Sequence, residues 1–217
     1  MTDFAANRTM MVDTQVRPSD VTKFPIIDAM LTVRREAYVP SARREVAYVD
    51  ANIALQPGRV ILEPRTLAKM LDAMEVEQSD VVLNIGAGLG YTAAVLSRMA
   101  EAVIAVEQDE TLAKDAEAAL IEQGADNVVV IEAPLAEGAA KHGPYDAIFI
   151  EGAVEMVPAA LTDQLKDGGR IAAVFAKGAL GECRIGYKID GNVSWRLAFN
   201  AGAPVLPGFE AEKAFSL

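Results

Sequence analysis

The sequence predicts an α/β fold: a doubly wound, mostly parallel sheet with a helical extension on its N-terminal side. Three observations predict it. From Asp80 onwards, short and nearly continuous apolar runs alternate with amphipathic helix patterns, as expected for strands covered on both faces. The stretch Val81 to Tyr91, VVLNIGAGLGY, passes from a β-rich apolar run through three alternate glycines straight into a helix pattern, the opening of a βαβ unit. The chain is 217 residues long and 52% hydrophobic, enough for one large α/β core with an elaboration.

Taken in order, residues 1 to about 70 look helical, punctuated by Pro18, Pro25, Pro40, Pro57 and Pro64. Pro25 opens a short helix, IIDAMLTV, with Thr22 as its expected cap. Arg34, Arg35, Arg43 and Arg44 read as a solvated basic face, or else as a face towards an acidic substrate. Pro64 opens a helix to about Met74. The core then alternates: strand Val81 to Ile85, helix to about Met99, strand Ala102 to Glu107, helix Thr111 to Gln123, strand Asn127 to Glu132 and strand Tyr145 to Glu151. A helix over Pro158 to Lys166 is expected to break at Gly168 and Gly169 before strand Arg170 to Ala176. Strands at Cys183 to Ile189 and Ser194 to Ala201 complete the sheet. This divides the chain into an N-terminal helical region, 1–78, packed on a core, 79–217, within one structural domain.

Charge and composition exclude several functions. The formal net charge is −11, with residues 1–70 at +2 and the remainder at −13. A body this acidic argues against a nucleic-acid footprint, which needs a basic stripe, and against an anionic membrane surface. Cys183 is the only cysteine and His142 the only histidine, so no disulfide framework, zinc site or nucleophile–histidine pair is easy to build. Cys183 reads as a core residue and His142, in KHGPY, as a loop residue. The N-terminus has no apolar signal-peptide segment and no run approaches membrane-spanning length, so the expectation is a cytoplasmic protein.

The chemistry is expected where the strands end. Ligands of open α/β sheets bind at the carboxyl ends of the strands, and these ends are Gly86 to Gly90, Glu107 with Gln108, Glu132 with Ala133, and Glu151. Gly86, Gly88 and Gly90, with Ala87 between them, let a ligand approach the backbone, and the helix that begins at Tyr91 adds free N–H groups. Glu107 follows the glycines by about 20 residues, the spacing at which an acidic strand tip holds a ribose diol. Glu132 or its neighbours are placed to meet an adenine edge, and Glu151 lies at the mouth near the reacting centre. A nicotinamide cofactor fits less well, because Tyr91 stands where its G-x-G-x-x-G fingerprint needs the last glycine. The pattern looks more like the S-adenosylmethionine site of a class I methyltransferase.

Nearly the whole chain resembles the protein-L-isoaspartate O-methyltransferase family. MVDTQVRPSDV, VRREAYVP and AYVD are similar to its N-terminal region, and VVLNIGAGLGYTAAVLS to its glycine motif. YDAIFIEGAVEMVPAALTDQLKDGGRI is similar to its fourth strand, following helix and GGR turn, and APVLPGF to its C-terminal valine-proline-leucine stretch. The resemblance implies a Rossmann-like sheet of seven strands with the last antiparallel. It implies methyl transfer from S-adenosylmethionine, leaving S-adenosylhomocysteine, to the carboxylate of isoaspartyl residues in damaged proteins. No general base is needed for that reaction, since the methyl group is activated and the carboxylate already deprotonated. Three departures bear on the substrate side. In the segment that resembles the family's substrate loop, Ile61, Leu62, Glu63 and Pro64, Leu62 stands in place of a serine. Ala133, Pro134 and Leu135 replace a glycine-aspartate-glycine turn, and Glu151 stands where the family tends to have a small or hydroxyl residue. Glu151 would repel an acceptor carboxylate unless it is protonated or paired with an arginine such as Arg59 or Arg65. The departures keep two alternatives open: a methyltransferase with a changed acceptor, and a non-catalytic binding module on the same fold.

Overall fold

Nearly continuous runs of β-branched and aliphatic residues build the central sheet of the computed structural model, which describes residues 2–178 and 180–211. Its strands are β3 (Val81–Ile85), β4 (Ala102–Glu107), β5 (Val128–Glu132), β6 (Tyr145–Val154), β7 (Leu165–Lys177), β8 (Leu180–Ile189) and β9 (Asn192–Asn200); β1 (Ile53–Gln56) and β2 (Arg59–Ile61) form a separate antiparallel hairpin. The sheet order is β5-β4-β3-β6-β7-β8-β9. All pairs from β5 to β7 are parallel, whereas β8 pairs antiparallel with both β7 and β9. The reversed strand is therefore the penultimate one, and the last strand runs with the rest, a correction to the expected antiparallel last strand. The short turns on either side of β8 explain this: a hairpin can only join antiparallel neighbours.

Alternation along the strands divides the core into two apolar clusters. Val82, Val103, Ala105, Ala147 and Phe149 face the N-terminal helices, together with Met11, Ile26, Met30, Leu67 and Leu71. Leu83, Ile85, Ile104, Val106, Ile148 and Ile150 face the opposite way, towards Leu135, Leu161 and Phe209. The N-terminal region thus shares its apolar cluster with one face of the sheet. It contributes α1 (Phe4–Met11), α2 (Phe24–Thr32) and α3 (Pro64–Met74), linked by short 3₁₀ and π turns. The crossover helices are α4 (Tyr91–Ser97), α5 (Glu110–Glu122) and α6 (Ala159–Thr162).

Three local expectations are corrected. Lys23, not Thr22, is the N-cap of α2 and gives no side-chain cap bond; Pro25 in the first turn needs none for its missing N–H. The helix expected over Pro158 to Lys166 shrinks to α6, and β7 already begins at Leu165 and runs through both glycines. Pairing of Tyr145 with Leu165 takes over there, and a side chain at Gly169 would collide with the carbonyl of Asp146 at 2.9 Å. Gln164 anchors the junction by accepting from the Ala139 amide and donating to the carbonyls of Glu137 and Ala160. The hairpin β1–β2, turning through Pro57 and Gly58, lies in a region expected to be helical. Finally, Pro204 to Phe209 folds back over the end of β6: Ala153 donates to the Pro204 carbonyl and Leu206 donates to the Ala153 carbonyl, both at 2.9 Å.

Candidate functional site

The sheet gathers the ends of β3, β4 and β6 at one point. Gly86, Gly88 and Gly90 all adopt positive φ, at +79°, +56° and +92°, which is why glycine stands at each. The loop is tied down by its own backbone: Gly86 and Ala87 both donate to the Val106 carbonyl, at 2.9 and 3.1 Å, and Gly90 donates to that of Ala87 at 2.8 Å. The register β3–β4 sets Ile85 beside Val106, so the glycine loop leaves its strand next to Glu107.

Glu107 is completely buried. One carboxylate oxygen, Oε1, accepts from Arg59 Nη1 at 2.7 Å and from the amides of Gln108 and Asp109 at 2.9 and 3.1 Å. The other, Oε2, accepts from Arg59 Nη2 at 2.5 Å and from the Gly88 amide at 2.8 Å. Arg59 reaches it from β2 and is itself 2% exposed. Sequence reasoning offered Arg59 as a partner for Glu151; the structure bonds it to Glu107.

Glu151, on β6, is also buried, at 2% exposure. Burial pushes its carboxyl up to about 8, against the pull of the nearby Thr92 hydroxyl and the Arg59 and Arg35 guanidiniums and with the push of Glu107. Among the described residues its Oε2 has no hydrogen-bond partner, and neither do the hydroxyls of Tyr91 and Thr92 or the Nε of Arg59. Beside this cluster lies Arg35, fully buried where a solvated basic face was expected. Arg35 donates from Nε to the Ala47 carbonyl at 2.7 Å and from Nη2 to that of Leu62 at 2.9 Å, and its guanidinium stacks on the Tyr91 ring at 4.6 Å. Burial lowers its pKa and raises that of Tyr91. The sequence carried a signal for this: Arg35 sits within REAYVP, where Tyr38 and Val39 are core residues.

The remaining anticipated residues are placed differently. Gln108 and Glu132 are exposed, Glu132 lying opposite Glu107 in the β4–β5 register, while Ala133 donates its amide to the Glu107 carbonyl at 3.1 Å. Ile61 and Leu62 are buried in the apolar cluster beneath the N-terminal helices. Glu63 accepts from the Thr66 hydroxyl at 2.7 Å at the start of α3, with Pro64 as the first residue of that helix. His142 is exposed, and Cys183 is buried with its thiol pushed up to about 12. Among the described residues, no cluster of three or more His, Cys, Asp or Glu side chains could hold a metal ion, and no helix is long and apolar enough to cross a membrane.

The residue types suit the ribose of an adenosyl ligand: a buried carboxylate at a strand end, beside a glycine loop that runs into a helix. The space does not suit it as the chain is folded. A β-carbon on Gly86 would come within 3.5 Å of Arg59 Nη2 and 3.4 Å of Leu206 Cδ1, and one on Gly88 within 2.6 Å of Leu55 Cδ1. The front of the cradle is filled by Arg59, Leu55 and Leu206.

Comparison with known proteins points to one family. The model of the family described as protein-L-isoaspartate(D-aspartate) O-methyltransferase matches residues 7–180. Proteins named protein-L-isoaspartate O-methyltransferase include one from Koribacter versatilis, 36% identical over 171 residues, covering 79% of this chain and 77% of the relative. Another, numbered 2, from Pelobacter propionicus is 35% identical over 205 residues, covering 94% and 91%. A solved structure of that name superposes with a TM-score of 0.81 at 23% identity, covering 93% of this chain and 66% of the other. A Plasmodium falciparum structure, described as a complex of such an enzyme with S-adenosyl-L-homocysteine, gives a TM-score of 0.79 at 18% identity over 95% and 99%. The two superpositions speak for the fold; the sequence relatives speak for the family.

Proposed function

The chain belongs to the protein-L-isoaspartate(D-aspartate) O-methyltransferase family, and on that premise we propose that it methylates the carboxylate of isoaspartyl residues in protein substrates with S-adenosylmethionine as donor. The observation that carries this is the span of the likeness. The matched residues 7–180 span the glycine loop, Glu107, Glu151 and strands β3 to β7, so the likeness covers the candidate site together with most of the sheet.

The donor supplies a sulfonium-activated methyl group. The acceptor is a carboxylate that is ionised at neutral pH, so this chain's residues have to bind, orient and exclude water, with no proton to move. A site whose neighbourhood holds no histidine is compatible with that demand, since His142 is an exposed loop residue. Glu107 would hold the ribose diol through the two positions on its carboxylate that the Arg59 fork now takes, with the Gly88 amide fixing one of the oxygens. Arg35 holds the segment at Leu62 against the Tyr91 ring, which keeps the region that resembles the substrate loop rigid on the start of α4.

The test is transfer of labelled methyl from S-adenosylmethionine to an isoaspartyl peptide beside its aspartyl twin. Transfer to the first alone supports the reading. No transfer to either by folded protein overturns it. A second reading, the same donor with a different acceptor, is favoured by one observation: the Leu62 side chain lies in the apolar cluster, so it offers an acceptor no hydrogen bond. Methylation of a different carboxylate in the same assay, with the isoaspartyl peptide inert, would support that one.

A further inference from the structure

The Glu107 carboxylate is saturated. Its two oxygens accept five hydrogen bonds, three from the amides of Gly88, Gln108 and Asp109 and two from the Arg59 fork. A carboxylate offers about four lone-pair sites in all. No capacity is left for the two hydroxyls of a ribose. The amides belong to the strand end and the glycine loop and cannot leave without unfolding it. Among the described residues, the two Arg59 bonds are the only ones made by a side chain, and they match a diol donor for donor.

We propose that Arg59 is an internal competitor for the ribose diol: it occupies Glu107 in the closed chain, and the adenosyl ligand binds by displacing it towards the second buried carboxylate, Glu151. The inference rests on the cofactor reading above and adds to it a residue that sets the affinity.

Three observations on independent atoms agree. Arg59 and Leu55 both belong to the β1–β2 hairpin, and both fill the front of the glycine loop. That hairpin is a sheet of its own and shares no strand pairing with the seven-stranded sheet, so it can move without breaking the ladder. A destination is present as well. The Nε of Arg59 and the Oε2 of Glu151 are both buried without a partner among the described residues, and a β-carbon built on Gly86 would lie 3.5 Å from Arg59 Nη2 and 3.5 Å from the backbone carbonyl of Glu151, so the two residues flank the same glycine. Moving Arg59 between carboxylates leaves no buried cation unpaired, which would otherwise cost several kcal/mol.

The probe is S-adenosylhomocysteine, titrated by calorimetry into the full chain and into Arg59→Gln and Arg59→Lys. Gln keeps a polar side chain and frees the carboxylate; Lys keeps the charge and loses the bidentate fork. The expected result is affinity at least ten-fold tighter for Arg59→Gln than for the parent, with Arg59→Lys between them. The second arm needs no variant: a crystal structure of the parent with saturating S-adenosylhomocysteine should show the ribose hydroxyls on Glu107 and Arg59 off it. Unchanged affinity in the folded variants overturns the proposal. So does a ligand-bound parent in which both Arg59–Glu107 bonds persist. In those two cases the parent still binds and the methyltransferase reading stands. If neither parent nor variants bind, the cofactor reading falls and the proposal with it.

Discussion

Glu151→Gln should change how the stability of the protein depends on pH, and by a predictable amount. Burial holds the folded carboxyl near 8, against an ordinary value of 4.5. Between these two values the unfolded chain has released the proton and the folded chain keeps it, so folding takes up a proton and stability falls as pH rises. The contribution is fully present below about 4.5, declines through the interval and is lost above about 8. One pKa unit corresponds to about 1.4 kcal/mol, so the 2.5 units from 4.5 to pH 7 remove about 3 kcal/mol. Glutamine has the same shape and never ionises. Parent and variant should therefore differ little at pH 5, and the variant should be the more stable by about 2–3 kcal/mol at pH 7, since all other titrations cancel in the difference. The assay is urea unfolding of both proteins at pH 5, 6, 7 and 8. Parallel curves would refute the reasoning, because they would mean that Glu151 is ionised in the folded chain and already paired with Arg59 or Arg35.

Other expectations follow from the same geometry. Arg35→Ala strips the buried carbonyls of Ala47 and Leu62 of their donor, and each unsatisfied group costs about 1–3 kcal/mol, so a loss of at least 2 kcal/mol in urea unfolding is expected. Leu62→Ala should cost about 2–5 kcal/mol as a cavity in the core, while affinity for S-adenosylhomocysteine stays within two-fold; a large affinity change with little destabilisation would return Leu62 to the substrate side. The −13 balance beyond residue 70 predicts no salt-sensitive gel shift of a labelled duplex at low micromolar protein and moderate salt.

What could be read from the sequence was what is local. The glycine loop, its strand and its helix lie within seventeen consecutive residues, and the continuous apolar runs of β3 and β4 need no partner to be recognised. That Glu107 lies beside the glycine loop could be read from the spacing because the parallel register places neighbouring strand ends side by side. What could not be read depends on distant pairing. Arg59 meets Glu107 across 48 residues of sequence, and no local pattern distinguishes it from Arg65, which stays half-exposed beside Glu63. The helix expected over Pro158 to Lys166 failed for the same reason: its residues favour helix until Tyr145 pairs with Leu165. The hairpin at Ile53 to Ile61 did carry a signal, Pro57-Gly58 between short apolar runs, but in a stretch flanked by helix patterns that signal was outweighed.

Arg59 and Glu151 form one device, because each explains the state of the other. Burial keeps Glu151 protonated near neutral pH, and the Arg59 guanidinium that would oppose it is committed to Glu107. The groups that face it are Arg59 from β2, Arg35 from the 3₁₀ turn after α2, Thr92 from α4 and Glu107 from β4, and of these Arg35 is held by two carbonyls. If the adenosyl ligand sends Arg59 to Glu151, the new pair forms only with an ionised carboxylate, so binding releases one proton. Affinity for S-adenosylhomocysteine should then rise about ten-fold per pH unit between pH 6 and 8 and level off above about 8, where the closed chain has already lost that proton. In Glu151→Gln the slope should disappear, since glutamine has no proton to release. Calorimetry in two buffers of different ionisation enthalpy would read the released proton directly. A flat profile in the parent, or an equal slope in the variant, would show that Arg59 leaves Glu107 for solvent, with no part for the second carboxylate.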